Sequence, residues 1–195
     1  MSRSASAAES TGVMDHVALV VVRIESVLAC LEPLGLEIGP VEEFPSEGTR
    51  EAYVGASACS ARLLLMQPIG SVGPYARALA TRGPGLHHVG VNVAALERHV
   101  AEVRGWLLHP RSLETMTRSR TAWLARPGVG TLLELHEAEL TPGPRVVEAL
   151  EVPVEAGLEP LLEPYGLLAS TDGRARFVLA GQRFDASQLA ACSAT

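Results

Sequence analysis

Residues 13–22 are almost continuously apolar and rich in Val, interrupted early by Asp15-His16. Such a run reads as a buried strand that carries one imidazole. Ile24, Val27, Leu28 and Leu31 then recur at helical spacing, and Pro33 and Gly35 stop that helix. Residues 36–38 and 41–44 read as short extended pieces. Residues 50–54 and 61–67 read as fuller strands on either side of a small-residue turn at 55–60. Pro74 opens a short helix that Gly83 closes.

The pattern then restarts. Residues 86–93 form a strand with His87-His88 near its beginning, Leu96, Val100 and Val103 mark a second helix, and 121–125 and 131–136 are extended. Strand, helix, then further extended runs, twice over, reads as an internal repeat of a βαβββ unit. Each copy exposes an apolar sheet face, so two copies packed side by side make one domain around a shared cleft. The expected architecture is α+β: paired βαβββ modules forming a curved mixed sheet, with a first module at 13–73, a helical linker at 74–84 and a second module at 85–140. Residues 141–195 form a C-terminal extension. There Leu162-Glu163-Pro164-Tyr165-Gly166-Leu167 echoes Leu31-Glu32-Pro33-Leu34-Gly35-Leu36, and 177–180 would be a following strand. The echo leaves open a partial third module or chance similarity in an Ala/Leu/Pro-rich tract; Pro160 inside the presumed helix argues against the copy.

Composition narrows the chemistry. A net charge of −6 gives no overall field for nucleic acid. No apolar run approaches a membrane span, the longest being residues 17–22. Residues 1–12 are small and polar without an apolar signal core, which leads us to expect an unstructured start and a cytoplasmic protein. Cys30, Cys59 and Cys192 have no ligand or pairing spacing and read as reduced, small hydrophobes. All 16 basic residues are Arg, so Schiff-base chemistry and a P-loop Lys are ruled out, and proton abstraction falls to His, Glu, Asp, Tyr or Cys.

Three residues are polar where the pattern calls for apolar ones. His16 and His88 hold the same place in the first strand of each copy, and Glu134 sits inside the apolar stretch 131–136. A carboxylate there is costly without a partner. Two imidazoles and a carboxylate converging on a cleft suit a divalent metal with open coordination positions. Alone, each would read as a core histidine or an edge-strand acid; the repeat-equivalent placement of the two histidines reverses that. Symmetry asks for a fourth ligand on 61–67, but alternation puts Arg62, Leu64 and Met66 on one face and Leu63 and Leu65 on the other. None of these can ligate as a carboxylate or amide, and Gln67 would need a bulge.

Asp15-His16-Val17-Ala18, Gly85-Leu86-His87-His88-Val89-Gly90 and Leu132-Leu133-Glu134-Leu135 resemble the vicinal oxygen chelate (glyoxalase-like) superfamily, and within it methylmalonyl-CoA epimerases. The stretch 75–88 is similar to that family's linker into its second module, residues 47–52 to the segment presenting its catalytic acid, and Ser119-Arg120 precedes a strand as it does there. The resemblance spans roughly residues 13 to 138. It implies that His16, His88 and Glu134 bind a divalent metal (Co, Mn, Fe, Zn or Ni). It further implies that Glu51 is the general base, that the substrate is a methylmalonyl-CoA-type thioester and that the chain forms a homodimer. The departure is Leu64, where the family has a Gln or Glu ligand.

In the enolate chemistry so implied, Glu51 acts on one face of the substrate and Glu134, doubling as ligand, on the other. Tyr53, two residues from Glu51, shares its face; His136, two beyond Glu134, is a substrate-contacting or spare-ligand position; Arg120 is a substrate-binding cation. Arg111, Arg118, Arg120 and Arg126 concentrate positive charge that suits a carboxylate or coenzyme A phosphates, or else a solvated loop. His87 should point away from His88 as a structural residue, and Trp106 and Trp123 read as core. Two other readings stand beside the epimerase: a non-haem iron oxygenase or lyase on the same triad, and a ligand-binding module without catalysis.

Overall fold

The computed structural model describes residues 12–141 and 143–192; most of the expected unstructured start lies outside them. The first module runs β1 (Val13–Val20), α1 (Ile24–Leu31), β2 (Glu42–Phe44), β3 (Thr49–Val54) and β4 (Arg62–Pro68). Helix α2 (Pro74–Arg82) leads into β5 (Gly85–Val93), α3 (Leu96–Glu102), β6 (Leu107–Leu108), α4 (Ser112–Ser119), β7 (Thr121–Ala125) and β8 (Leu132–Glu137). Pro74 at the start of α2 and Gly83 at its end act as the sequence pattern anticipates. Helix α4 and the two-residue β6 are additions that the pattern did not announce: Ser112-Leu113-Glu114-Thr115-Met116 offers only a thin apolar stripe, and most of α4 is exposed.

One eight-stranded sheet has the order β2-β3-β4-β1-β5-β8-β7-β6. The opening strand of each module pairs in parallel with its last (β1 with β4, β5 with β8), and the modules join through antiparallel β1–β5. The mixed α+β architecture of paired modules is thus present. Alternation divides the sheet. Val17, Leu19, Leu63, Leu65, Val89, Val91, Leu133 and Leu135 are at most 1% exposed and pack with Ile24, Val27 and Leu31 of α1 and Leu96 of α3. Each such side chain contributes about 1.5–3 kcal/mol of burial. The other face carries the cleft.

The extension forms a second sheet from β9 (Val147–Pro153), β10 (Leu168–Ser170), β11 (Arg176–Leu179) and β12 (Gln182–Asp185), followed by α5 (Ala186–Ala190). Its order is β10-β9-β11-β12. Strand β9 pairs in parallel with β10, the first strand after the turn, whereas each module pairs its opening strand with its last. The sequence echo is a shared turn. Glu32–Leu34 and Glu163–Tyr165 are both 3-10 turns with Pro in second place, and both end on a left-handed glycine, Gly35 and Gly166, each at φ 65°. The tract around Pro160 is a 3-10 turn, Glu159–Leu161.

Residues of the extension, among them Leu150, Phe177 and Leu179, join the body's core. Cys192, just after α5, is disulfide-bonded to Cys30 of α1, 162 residues away, while Cys59 is free. This corrects the expectation of three reduced cysteines: the partners share no local spacing, and only the docking of the extension brings them together. Among the described residues, no helix is long and apolar enough to cross a membrane.

Candidate metal centre

His16 and His88 lie on neighbouring antiparallel strands, related by the two-fold pattern of the β1–β5 ladder: His16 stands opposite Gly90, and His88 opposite Ala18. On β8, Glu134 stands beside Gly90. The three side chains meet. His16 Nε2 is 3.1 Å from His88 Nε2, His88 Nε2 is 3.2 Å from Glu134 Oε2, and His16 Nε2 is 3.7 Å from the same oxygen. Both histidines are buried and Glu134 nearly so. Of the described His, Cys, Asp and Glu residues, these three offer ligand atoms that lie mutually within 4.8 Å.

Gly90 is what allows this approach. A Cβ there would lie 2.2 Å from His16 Cε1 and 2.4 Å from its Nδ1, so the imidazole occupies the space a side chain would fill.

The hydrogen bonds behind the ring nitrogens fix which atoms face inward. His16 Nδ1 is 2.8 Å from Asp15 Oδ2, so Nδ1–H donates to the carboxylate and Nε2 presents a lone pair to the centre. Asp15 is held in turn by Asn92 at 3.3 Å and by Arg62 at 3.8 Å. The His16 hydrogen bond, helped by Arg62, outweighs burial and keeps the Asp15 carboxyl below its ordinary range. His88 Nδ1 meets His87 Nδ1 at 2.8 Å. The expectation that His87 points away from His88 is therefore corrected. The register slips between Ala18 and Leu19, opposite His88 and Leu86, leaving His87 as the extra residue of a bulge. Burial, with His88 and Arg82 nearby, pushes the His87 pKa down to about 3 and keeps it neutral.

The donor set fits a divalent cation. Ligand atoms about 2.1 Å from one ion lie about 3.0–3.4 Å apart, close to the spacings here. A lone pair facing a second imidazole and a carboxylate in a buried site also calls for positive charge between them. His136 Nε2 adds to that demand, being buried, misaligned for a hydrogen bond and 3.3 Å from Glu134 Oε2. Burial works against the charge on Glu134, but His136 and His88 outweigh it and hold the carboxyl well below its ordinary range.

In the other half of the cleft, the position matching Glu134 is apolar. Leu64, 3% exposed, packs with Ala18, Val20 and Met66 beneath Tyr75 of α2. Gln67 does not reach inward: its Oε1 accepts from the backbone N–H of Ile24 at 3.0 Å and caps α1. Tyr53 stands edge-on to His16, with ring centroids 6.0 Å apart, and Arg62 lies over the Tyr53 ring at 4.0 Å. Burial pushes the Tyr53 pKa up to about 12. Glu51, on the same face of β3, accepts from Thr49 Oγ1 at 2.7 Å; burial raises its carboxyl above the ordinary value, with Glu47 and Glu134 adding in the same direction.

Arg120 is elsewhere. It ends α4 and is held by Glu97 of α3 and by Glu137, whose side chain also accepts from the N–H of Leu96, so it serves the helix-covered face. This corrects its assignment to the substrate cleft: β-alternation puts Glu137 opposite in facing to Glu134 and His136. Arg111, by contrast, is a cation on the cleft side of the sheet. It bonds Glu47 at 2.7 Å and lies 5.4 Å above the ring of Trp123, which neighbours Glu134 on β7. The sequence signalled Arg111 only as one of four clustered arginines, and Trp123 only as core.

Residues 15–108 match the family model described as the Glyoxalase/Bleomycin resistance protein/Dioxygenase superfamily. That match runs from β1 to β6, within the paired-module body. Among curated proteins no match is found. Similar solved structures include a hypothetical protein from Bacillus halodurans, 25% identical, covering 67% of this chain and 97% of that one with a TM-score of 0.56. Methylmalonyl-CoA epimerase from Mycobacterium tuberculosis is 25% identical, covering 68% of this chain and 93% of that one with a TM-score of 0.53. A Streptomyces coelicolor methylmalonyl-CoA epimerase variant in complex with 2-nitronate-propionyl-CoA shares the fold at 23% identity, covering 66% of this chain and 100% of that one with a TM-score of 0.51.

Proposed function

We propose that this chain is a metal-dependent, enolate-forming isomerase acting on a methylmalonyl-CoA-type thioester. The observation that carries the reading is the convergence of His16, His88 and Glu134 beside a separate, half-buried carboxylate, Glu51. The likeness to the Mycobacterium tuberculosis epimerase supports the choice of substrate class. When bound, a divalent ion supplies Lewis-acid stabilisation of the negative charge that develops on substrate oxygens. His16, His88 and Glu134 would hold it, oriented by Asp15 and His87.

The chain's own groups do the rest. Glu51 takes the proton from the carbon between thioester and carboxylate, and burial makes it a stronger base than an exposed glutamate. Tyr53, neutral at physiological pH, can donate a hydrogen bond beside it. His136 and Glu134, 3.3 Å apart on the second module's half of the cleft, are placed to return a proton to the other face. Arg111 offers an anion receptor in exchange for Glu47.

The test is α-proton exchange of methylmalonyl-CoA in deuterated solvent, followed by NMR on metal-loaded protein. Exchange should fall about 10²–10⁴-fold in Glu51→Gln. Because the base must be ionised and burial raises its pKa above 4.5, the wild-type rate should drop with falling pH through a limb above that value. The Gln variant should lack that limb. Absence of exchange in the metal-loaded wild type would overturn the reading.

One observation favours a second reading. With buried Leu64 offering no donor, two histidines and one carboxylate form the set used by non-haem iron oxygenases. Iron-specific oxygen consumption in place of proton exchange would select it.

A further inference from the structure

Behind the metal centre, a cavity of about 350 Å³ lies where the α2–β5 corner meets the extension. Its walls come from both parts: Val20, Arg82 and His87 from the body, and Arg174, Ala186 and Ser187 from the extension. None of its lining side chains is acidic. Arg82 has no ion-pair partner among the described residues. Arg174 has Asp185 Oδ2 at 3.8 Å, too far for a hydrogen bond, while Oδ1 of that carboxylate accepts from the N–H groups of Ser187 and Gln188 and from the Ser187 hydroxyl. By contrast, Arg176 and Arg183 on the same sheet are engaged by Asp172 and Glu151.

His87 adds a directed donor. When His88 presents Nε2 to a metal, its Nδ1 carries the hydrogen and donates to His87 Nδ1, 2.8 Å away. The His87 hydrogen then sits on Nε2. Two cations and an imidazole thus line a space whose other walls, Val20 and Ala186 among them, are apolar.

We propose that this cavity is a binding site for a small organic anion with a short apolar body. It is distinct from the thioester cleft, and it exists only because the extension closes the corner of the body. Its size and its place at the seam between two parts of the chain are those of small-ligand sites. The head group is met by Arg82, Arg174 and the His87 N–H, and the tail by the apolar wall. The occupant therefore lies one hydrogen bond from a metal ligand.

The experiment is calorimetric titration of the full-length chain with hexanoate and with inorganic phosphate. Hexanoate should saturate at one per chain, and phosphate, which leaves the apolar wall uncovered, should bind at least tenfold more weakly. Arg82→Gln and Arg174→Gln should each weaken hexanoate roughly tenfold or more, whereas Arg77→Gln, on α2 but outside the cavity, should not. Both target arginines are exposed, so the variants should fold; unchanged thermal unfolding confirms it. Absence of saturable hexanoate binding at millimolar concentrations would overturn the proposal. So would equal binding of phosphate, or an affinity untouched in both variants. The readout is binding heat, so this failure is separate from a failure of the exchange assay.

Discussion

The two halves of the cleft are built on one plan and carry opposite chemistry. Matched through their strand pairing, Ala18 beside Leu64 in the first module corresponds to Gly90 beside Glu134 in the second. Along the same ladders, Met66 corresponds to His136, and Tyr53 to Trp123. Only the opening-strand histidines are common to both. The first module therefore gives the candidate centre one imidazole and an apolar wall, and the second gives an imidazole, the carboxylate of the triad and a neighbouring histidine. On the opposite face the halves still agree, since Gln67 and Glu137 cap the first residues of α1 and α3.

Exchanging the character of Leu64 and Glu134 tests this asymmetry most strongly. Glu134→Leu should reduce metal content, measured by mass spectrometry, from about one ion per chain to none. Leu64→Glu should do the reverse in two steps. Without metal it buries an unpaired carboxylate and should lose about 3 kcal/mol of stability in denaturant titrations. With metal at a thousand times its dissociation constant, linkage returns about 4 kcal/mol. If Glu134→Leu retained a full equivalent of metal, the donor set would be misassigned and the halves would not differ in the way described.

The smallest residues on the ladder give the next test. Gly90→Ala forces a methyl group to within 2.2 Å of His16, so it should cost about 1–3 kcal/mol and sharply weaken metal binding by turning the imidazole away. Its counterpart Ala18→Gly should cost only about 0.5–1 kcal/mol through backbone freedom and leave metal binding in place. Titration of both variants with cobalt, alongside thermal unfolding, separates the two effects. Equal loss of metal affinity in both would show that the site tolerates no change at all, rather than needing space at one point.

A finer contrast lies behind the ligands. His16 is oriented by a carboxylate and His88 by a neutral imidazole, so Asp15→Asn and His87→Gln each remove one orienting contact. Both should weaken metal binding about 10–100-fold, with the larger effect at Asp15, which also carries charge. Competition titration against a chelator measures it. An unchanged affinity in His87→Gln would reduce the His87–His88 contact to packing.

That contact also marks the limit of what the sequence reveals. The pairing of His16 with His88 was legible because repetition placed both in equivalent strands, and Glu134 because a carboxylate stood inside an apolar run. Strict alternation also separated Leu64 from Leu63 and Leu65, as the structure has them: Leu64 packs beneath Tyr75, and Leu63 and Leu65 lie in the helix-covered core. It failed at His87, because one bulged residue reverses the facing of its neighbour and no residue type announces it. Arg120 was misplaced for a related reason: its partners Glu97 and Glu137 are 23 and 17 residues away, and only the fold shows that they lie on the helix-covered face. The Cys30–Cys192 bond was hidden by a separation of 162 residues and by an extension whose docking no periodicity predicts. The repeated Glu-Pro-x-Gly motif was real, but it encodes a turn and not a module.

The smallest effects should come from the two caps, where the halves agree in role and differ in charge. Gln67→Ala removes an acceptor from the start of α1 and should cost about 1 kcal/mol at any pH where the chain is folded. Glu137 does the same for α3 as an ionised group; the Arg120 hydrogen bond, together with the Leu96 N–H, lowers its folded pKa below 4.5. A carboxylate with a depressed folded pKa stabilises the fold above its unfolded value, and that contribution fades as pH falls through the folded value. Denaturant titrations of Glu137→Ala against wild type should therefore show a difference at neutral pH that shrinks on acidification, while the Gln67→Ala difference stays constant. A Glu137→Ala penalty that did not vary with pH would mean that α3 is held by packing alone, and the agreement between the halves would then rest on their cores rather than on their caps.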